Sequence, residues 1–145
     1  MGYNWQKTAM KKILLFAITA ILLTGCASNK SWHKGQAEWM RIQIHENFDY
    51  DKAFTTALDL LSEKYEMEMI NKDGAYARTA WNYYKKNNGR QDYKKRVRVT
   101  LKFNHDRTQC SVKTDVQQQK KDEWIDGYDT KLGRQIRDDI QGVLQ

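Results

Sequence analysis

The sequence predicts an α+β domain, an antiparallel sheet of about five strands with two helices packed on one face, in the order βαββββα. Three observations carry that expectation. Val97, Val99, Leu101 and Phe103 alternate with Arg96, Arg98, Thr100 and Lys102, the two-residue period of a half-buried strand. Leu132, Ile136, Ile140 and Val143/Leu144 recur at helical intervals. Lys72-Asp73-Gly74 supplies turn chemistry, since Asp-Gly takes the positive φ values of a tight hairpin, so consecutive strands can lie side by side.

Each element follows in order. Met40, Ile42 and Ile44 alternate with Arg41, Gln43 and His45 and predict a first strand. Asp49 or Asp51 can then cap a helix running to about Lys64, with Tyr50, Phe54, Leu58 and Leu61 on one face and Ala53 and Ala57 allowing close approach. Tyr65, Met67 and Met69 predict a second strand. The third runs from about Ala75 to Tyr84, with Ala77, Thr79 and Trp81 on one face. A loop around Asn87-Asn88-Gly89-Arg90 precedes the strand that ends at Phe103. A turn at Asn104 to Thr108 leads to Cys110, Val112, Thr114 and Val116, and the closing helix starts near Thr130. The sheet's other face would carry Arg41, Gln43, Arg96, Arg98, Lys102, Lys113 and Asp115, and is expected to meet water or a partner.

The N-terminal segment reads differently. Lys11-Lys12 precede an apolar run from Ile13 to Leu23, about half the length of a membrane-spanning helix, so residues 1–25 read as a signal peptide. Met10 looks like a natural start, which leaves residues 1–9 as a candidate upstream extension. Leu23-Thr24-Gly25-Cys26 closes the run and resembles the bacterial lipobox. The resemblance implies that the Cys26 thiol is alkylated with diacylglycerol and the preceding peptide bond cut, leaving the acylated cysteine as the mature N-terminus. Ala27 after the cysteine implies export to the outer membrane, with the domain in the periplasm. Two or three chains, each buried methylene contributing about 0.8 kcal/mol, would hold it permanently.

Processing leaves 22 basic and 18 acidic residues among residues 26–145, so the full chain's net charge of +7 falls to +4. The sequence divides into a lipidated cysteine with a polar tether (26–38) and a single α+β domain (39–145). Fully extended, the tether residues from Ala27 to Glu38 would span about 40 Å. With Cys26 carrying lipid, Cys110 is the one remaining thiol, which excludes an intramolecular disulfide. Its alternation with Val112 reads as a buried strand position.

Lipobox, tether, strand, helix with Ala57-Leu58, Asp73-Gly74 hairpin, Trp81 late in the next strand and closing helix together resemble the helix-grip domains of the BamC lipoproteins of the outer-membrane β-barrel assembly machinery. The similarity covers about residues 39–145, one such domain where BamC carries two, and implies a helix-grip-like fold and an assembly role.

Residues of catalytic or metal-binding type are sparse. His33, His45 and His105 show no paired metal-ligand spacing, and no phosphate loop or nucleophile elbow occurs, so no catalytic residue, metal or cofactor is expected. Asp122, Glu123, Asp126 and Asp129 read as a solvated acidic loop before the last helix. The stretch from 84 to 107 holds nine basic residues against Asp92 and Asp106, with Tyr83, Tyr84 and Tyr93 nearby. Lys85, Lys86, Lys94, Lys95, Arg96 and Arg98 are its candidate binding residues, suited to an acidic protein or an anionic envelope ligand. Nucleic acid is not expected beyond an export signal. The sequence thus predicts a non-enzymatic, lipid-anchored interaction or assembly module. The alternative is an envelope enzyme or inhibitor working through a helix–sheet cleft lined by Trp81 and Tyr83.

Overall fold

The structure, a computed structural model, describes residues 31–86 and 88–145. The signal peptide (1–25), the lipidation site Cys26, tether residues 27–30 and loop residue Asn87 lie outside the described residues. The strands are β1 (Trp32–Lys34), β2 (Met40–Gln43), β3 (Met67–Asn71), β4 (Tyr76–Thr79), β5 (Asn82–Lys85), β6 (Gln91–Phe103), β7 (Gln109–Lys120) and β8 (Glu123–Asp129). Helix α1 (Tyr50–Ser62) follows β2, and α2 (Thr130–Val143) follows β8. No helix among the described residues is long and apolar enough to cross a membrane.

The expectation of about five strands with two helices is overturned. The described residues form one eight-stranded antiparallel sheet, and the fold is dominated by that sheet. Its spine is the β6–β7 hairpin, in register from Lys95↔Gln118 to Phe103↔Cys110. Each long strand shares its outer edge between two short strands: β4 and β5 along β6, β2 and β8 along β7. Then β3 pairs outside β4, and β1 outside β8.

Three additions raise the strand number. Trp32–Lys34, read from sequence as tether, pairs with Gly127–Asp129, and Gly127 permits it because a Cβ there would lie 2.4 Å from the His33 carbonyl oxygen and 2.6 Å from the Trp32 ring. The acidic stretch before α2 is strand β8. The predicted third strand breaks in two at Ala80–Trp81. Thr79, fully buried, causes the break: its hydroxyl accepts from the Val99 amide at 3.0 Å and donates to the Ala80 carbonyl at 2.9 Å. Ala77 and Thr79 face inward, but Trp81 emerges on the opposite face against Arg96 and Arg98.

One face of the spine is apolar because alternation places Val97, Val99, Leu101 and Phe103 beside Val116, Thr114, Val112 and Cys110. Phe54 and Leu61 of α1, Ile136 and Ile140 of α2, and Leu144 join the same buried cluster. Asp49 caps α1 by accepting from the Lys52 amide at 2.7 Å, as the sequence predicts. The Lys72-Asp73-Gly74 turn forms, yet the positive φ falls on Ala75 (55°) rather than on Gly74. Gly74 meets a different need: a Cβ there would lie 2.6 Å from the Asn71 side-chain nitrogen Nδ2, and Asn71 Oδ1 accepts from the Gly74 backbone amide.

Candidate functional site

The six candidate binding residues do not form one patch. The β5–β6 pairing runs Tyr83↔Arg96 and then Tyr84↔Asp92, a bulge that takes up Tyr93, Lys94 and Lys95. Lys85, Lys86 and Lys94 stay exposed around the hairpin end, together with Arg90. Among the described residues, Lys86 is the one of these cations that approaches a carboxylate, Asp92 at 3.8 Å. Tyr83 (44 % exposed) and Tyr93 (65 % exposed) meet edge to face at 5.2 Å beside these cations. The hairpin thus presents an aromatic pair to solvent on a segment that also carries the exposed cations Lys85, Lys86, Arg90 and Lys94.

Lys95 turns the other way. Its ammonium sits 2.7 Å from Asp129 Oδ2 and 4.2 Å from the Tyr84 ring centroid. Asp129 also accepts from the Lys131 and Leu132 amides through Oδ1, capping α2, and from the Ser31 hydroxyl through Oδ2. Burial pushes the Asp129 carboxyl up, but the hydrogen bond and charge of Lys95, the Leu132 amide and the Ser31 hydroxyl together hold it below the usual carboxylate value.

Arg96 and Arg98 occupy the outer face of the sheet. Arg96 lies 4.1 Å from the Trp124 ring and 5.1 Å from Trp81, and Arg98 lies 4.5 Å from Trp81. The rungs alternate indole and guanidinium: Trp124, Arg96, Trp81, Arg98. Side chains pin the ladder in place. Arg96 Nε donates to Gln117 at 2.7 Å, Gln117 donates to Asp126 at 2.6 Å, and Asp115 lies within 3.8 Å of Arg98 and 3.2 Å of Lys113. Both guanidiniums stack on indoles, although Arg98 Nε is buried without a hydrogen-bond partner.

A cleft of about 440 Å³ opens where the end of α1 meets β5 and the first turns of α2. Tyr65, Tyr84, Val97 and Leu132 supply its apolar lining, and Glu63, Lys64, Asn82, Lys85, Gln91 and Gln135 its larger polar one. Tyr83 borders this cleft, whereas Trp81 and His45 do not. The His45 amide donates to the Leu144 carbonyl at 2.8 Å, and its Nδ1 accepts from the Asn47 amide. His33 stacks on Tyr128 at 5.3 Å, and His105 is exposed in a turn. Cys110 is fully buried, and that burial pushes its thiol up to about 12, with no activating base at hand.

Asp122 and Glu123 face water, Asp126 serves the ladder, and Asp129 is buried, so the four acids do not converge. Among the described residues no group of three or more His, Cys, Asp or Glu could hold a metal ion. The sequence reading missed the partnership of Asp129 with Lys95 and the ladder role of Trp124. The signal for the first was an Asp immediately before a helical period, a helix-cap position. No protein-family model matches the chain, and no curated protein matches its sequence.

Proposed function

We propose that the chain is a lipid-anchored outer-membrane lipoprotein whose folded domain is a non-enzymatic interaction module for an anionic partner in the periplasm. The anchor rests on Leu23-Thr24-Gly25-Cys26 behind a cationic and apolar leader. One observation carries the binding function: the exposed Tyr83–Tyr93 pair at the β5–β6 hairpin, beside Lys85, Lys86, Arg90 and Lys94 and with Asp92 as the local acid. Exposed aromatics give contact area at low entropic cost, and the cations supply charge-assisted hydrogen bonds.

The test has two arms. Cys26→Ser replaces the thiol that receives lipid and is expected to leave an uncut or mislocalised precursor; normal acylation at position 26 would sink the anchor. Changing Lys85, Lys86, Arg90 and Lys94 to Glu reverses four exposed charges without touching the core. Partner capture from detergent-solubilised envelopes should collapse, and wild-type capture should weaken with salt, since screening acts within about 10 Å at 0.1 M. Capture unchanged by the fourfold variant would remove the hairpin from the proposal. Barrel-assembly components among the captured proteins would support the narrower, BamC-like role.

A further inference from the structure

The flank of β5 is one of several sheet edges with a partner on one side only among the described residues, alongside those of β1, β2 and β3, and it is the one that runs beside the cationic hairpin. Within the same hairpin meander, β4 is paired on both sides, by β6 and by β3. The β3 strand stops short of β5 because the chain arrives there from α1 through Tyr65 and Glu66. The Ala80 amide donates to the Glu66 carbonyl at 2.8 Å, and the Glu66 amide donates to the side-chain oxygen of Asn82 at 3.0 Å. Asn82 thereby ends the pairing with a side chain in place of a backbone group. From Tyr83 to Lys85, β5 pairs with β6 alone among the described residues.

An open edge satisfies its backbone groups with water or with another strand. Here the edge runs along the cleft of about 440 Å³ lined by Tyr65, Tyr84 and Leu132, a volume in the range of small-ligand sites. The cleft is polar over most of its lining, with one apolar wall formed by Tyr65, Tyr84, Val97 and Leu132. Backbone donors and acceptors beside such a wall are the two elements of strand addition, in which main-chain bonds hold the peptide and a recess takes alternate side chains. Charge then selects the peptide. Lys85, Lys86, Arg90 and Lys94 outnumber Asp92 along the hairpin, and Lys64 at the cleft is already paired with Asp139 at 2.9 Å. The same lysines discourage a second, equally basic β5 from pairing here.

We propose that the open edge of β5 binds an extended acidic peptide segment as an added strand, with one apolar side chain seated in the cleft. This deepens the anionic-partner reading above and rests on it. The probe is a short fluorescent peptide of alternating Glu and Val with a central Phe, titrated by anisotropy into the full chain in neutral detergent. A second peptide carries N-methyl groups on alternate residues, which removes main-chain donors and keeps the charge.

The parent peptide should bind saturably, the methylated one roughly tenfold or more weaker, and amide exchange should slow at Tyr83, Tyr84 and Lys85. Gln135→Trp, which fills the cleft from an exposed position, should weaken the parent peptide alike. Equal binding of both peptides, abolished by the fourfold Glu variant, would overturn strand addition and leave the hairpin's charge reading standing. Binding to phosphatidylglycerol vesicles without binding to either peptide would overturn it equally. No binding to peptide or vesicle would bring down both readings.

Discussion

The Lys95 ammonium and the Asp129 carboxylate meet at 2.7 Å, with side chains 14 % and 5 % exposed, and tie the middle of the sheet to the first turn of α2. The two members are not equivalent. Asp129 also accepts from two helix amides and from Ser31, so its loss strands a largely buried ammonium and uncaps α2. Asp129→Ala should cost about 3 kcal/mol in urea melts. Lys95→Met should cost less, because the remaining carboxylate keeps its other donors. Equal costs would mean that the cap and the Ser31 contact contribute nothing.

The same carboxyl makes stability depend on acid. Its pKa is lower in the folded state than in the unfolded chain, so the unfolded chain takes up the proton first. Its contribution is fully present above the unfolded value of about 4 and is lost as the pH falls through the folded value. Urea midpoints measured downward from pH 6 should therefore drop more steeply in the wild type than in Asp129→Asn. Parallel curves would contradict the lowered value.

Facing in the central hairpin is testable by truncation. Leu101 is 1 % exposed in the apolar layer, and Leu101→Ala should cost about 2–5 kcal/mol through lost burial and a cavity. Arg98→Ala, on the ladder face, should cost about 1 kcal/mol through loss of the Trp81 contact. Reversal of that order would refute the alternation on which the fold is built.

Cys110 offers a chemical probe. With its thiol pushed up to about 12 and its side chain fully buried, it should resist iodoacetamide at pH 8 in the folded protein. It should label readily in denaturant. Rapid labelling of the folded chain, read by mass spectrometry, would show that the core opens.

The elements legible in the sequence were those whose buried side chains are themselves apolar. Val97 to Phe103, Cys110 to Val116 and both amphipathic helices announce their faces by period. Strand β8 does not, because its inward positions hold Gly127, whose missing side chain admits Trp32, and Asp129, whose charge is matched by a lysine 34 residues away in the sequence. Strand β1 has three residues and is defined by backbone pairing rather than by a hydrophobic code. The kink at Ala80 depends on one threonine hydroxyl reaching β6. The six candidate cations look alike in the sequence; a bulge sends Lys95 inward, and two indoles occupy Arg96 and Arg98.

Pairing of β1 with β8 also fixes how the domain would respond to a pull. Five residues, 26–30, lie between Ser31 and the preceding Gly25, a reach of at most about 18 Å. Tension applied through Cys26 enters the fold at Ser31, whose carbonyl accepts from the Thr130 amide and whose hydroxyl donates to Asp129. The load meets a three-residue edge strand before it reaches the spine, and an element with so few bonds opens at low cost. Mechanical extension from the N-terminus should show a short early step as β1 peels away, followed by a separate and larger rupture. A single rupture would mean that β1 and the spine share the force. Under the proposed anchor at Cys26, the edge strand would act as a shock absorber, yielding slack to a moving membrane while the hairpin surface keeps its shape.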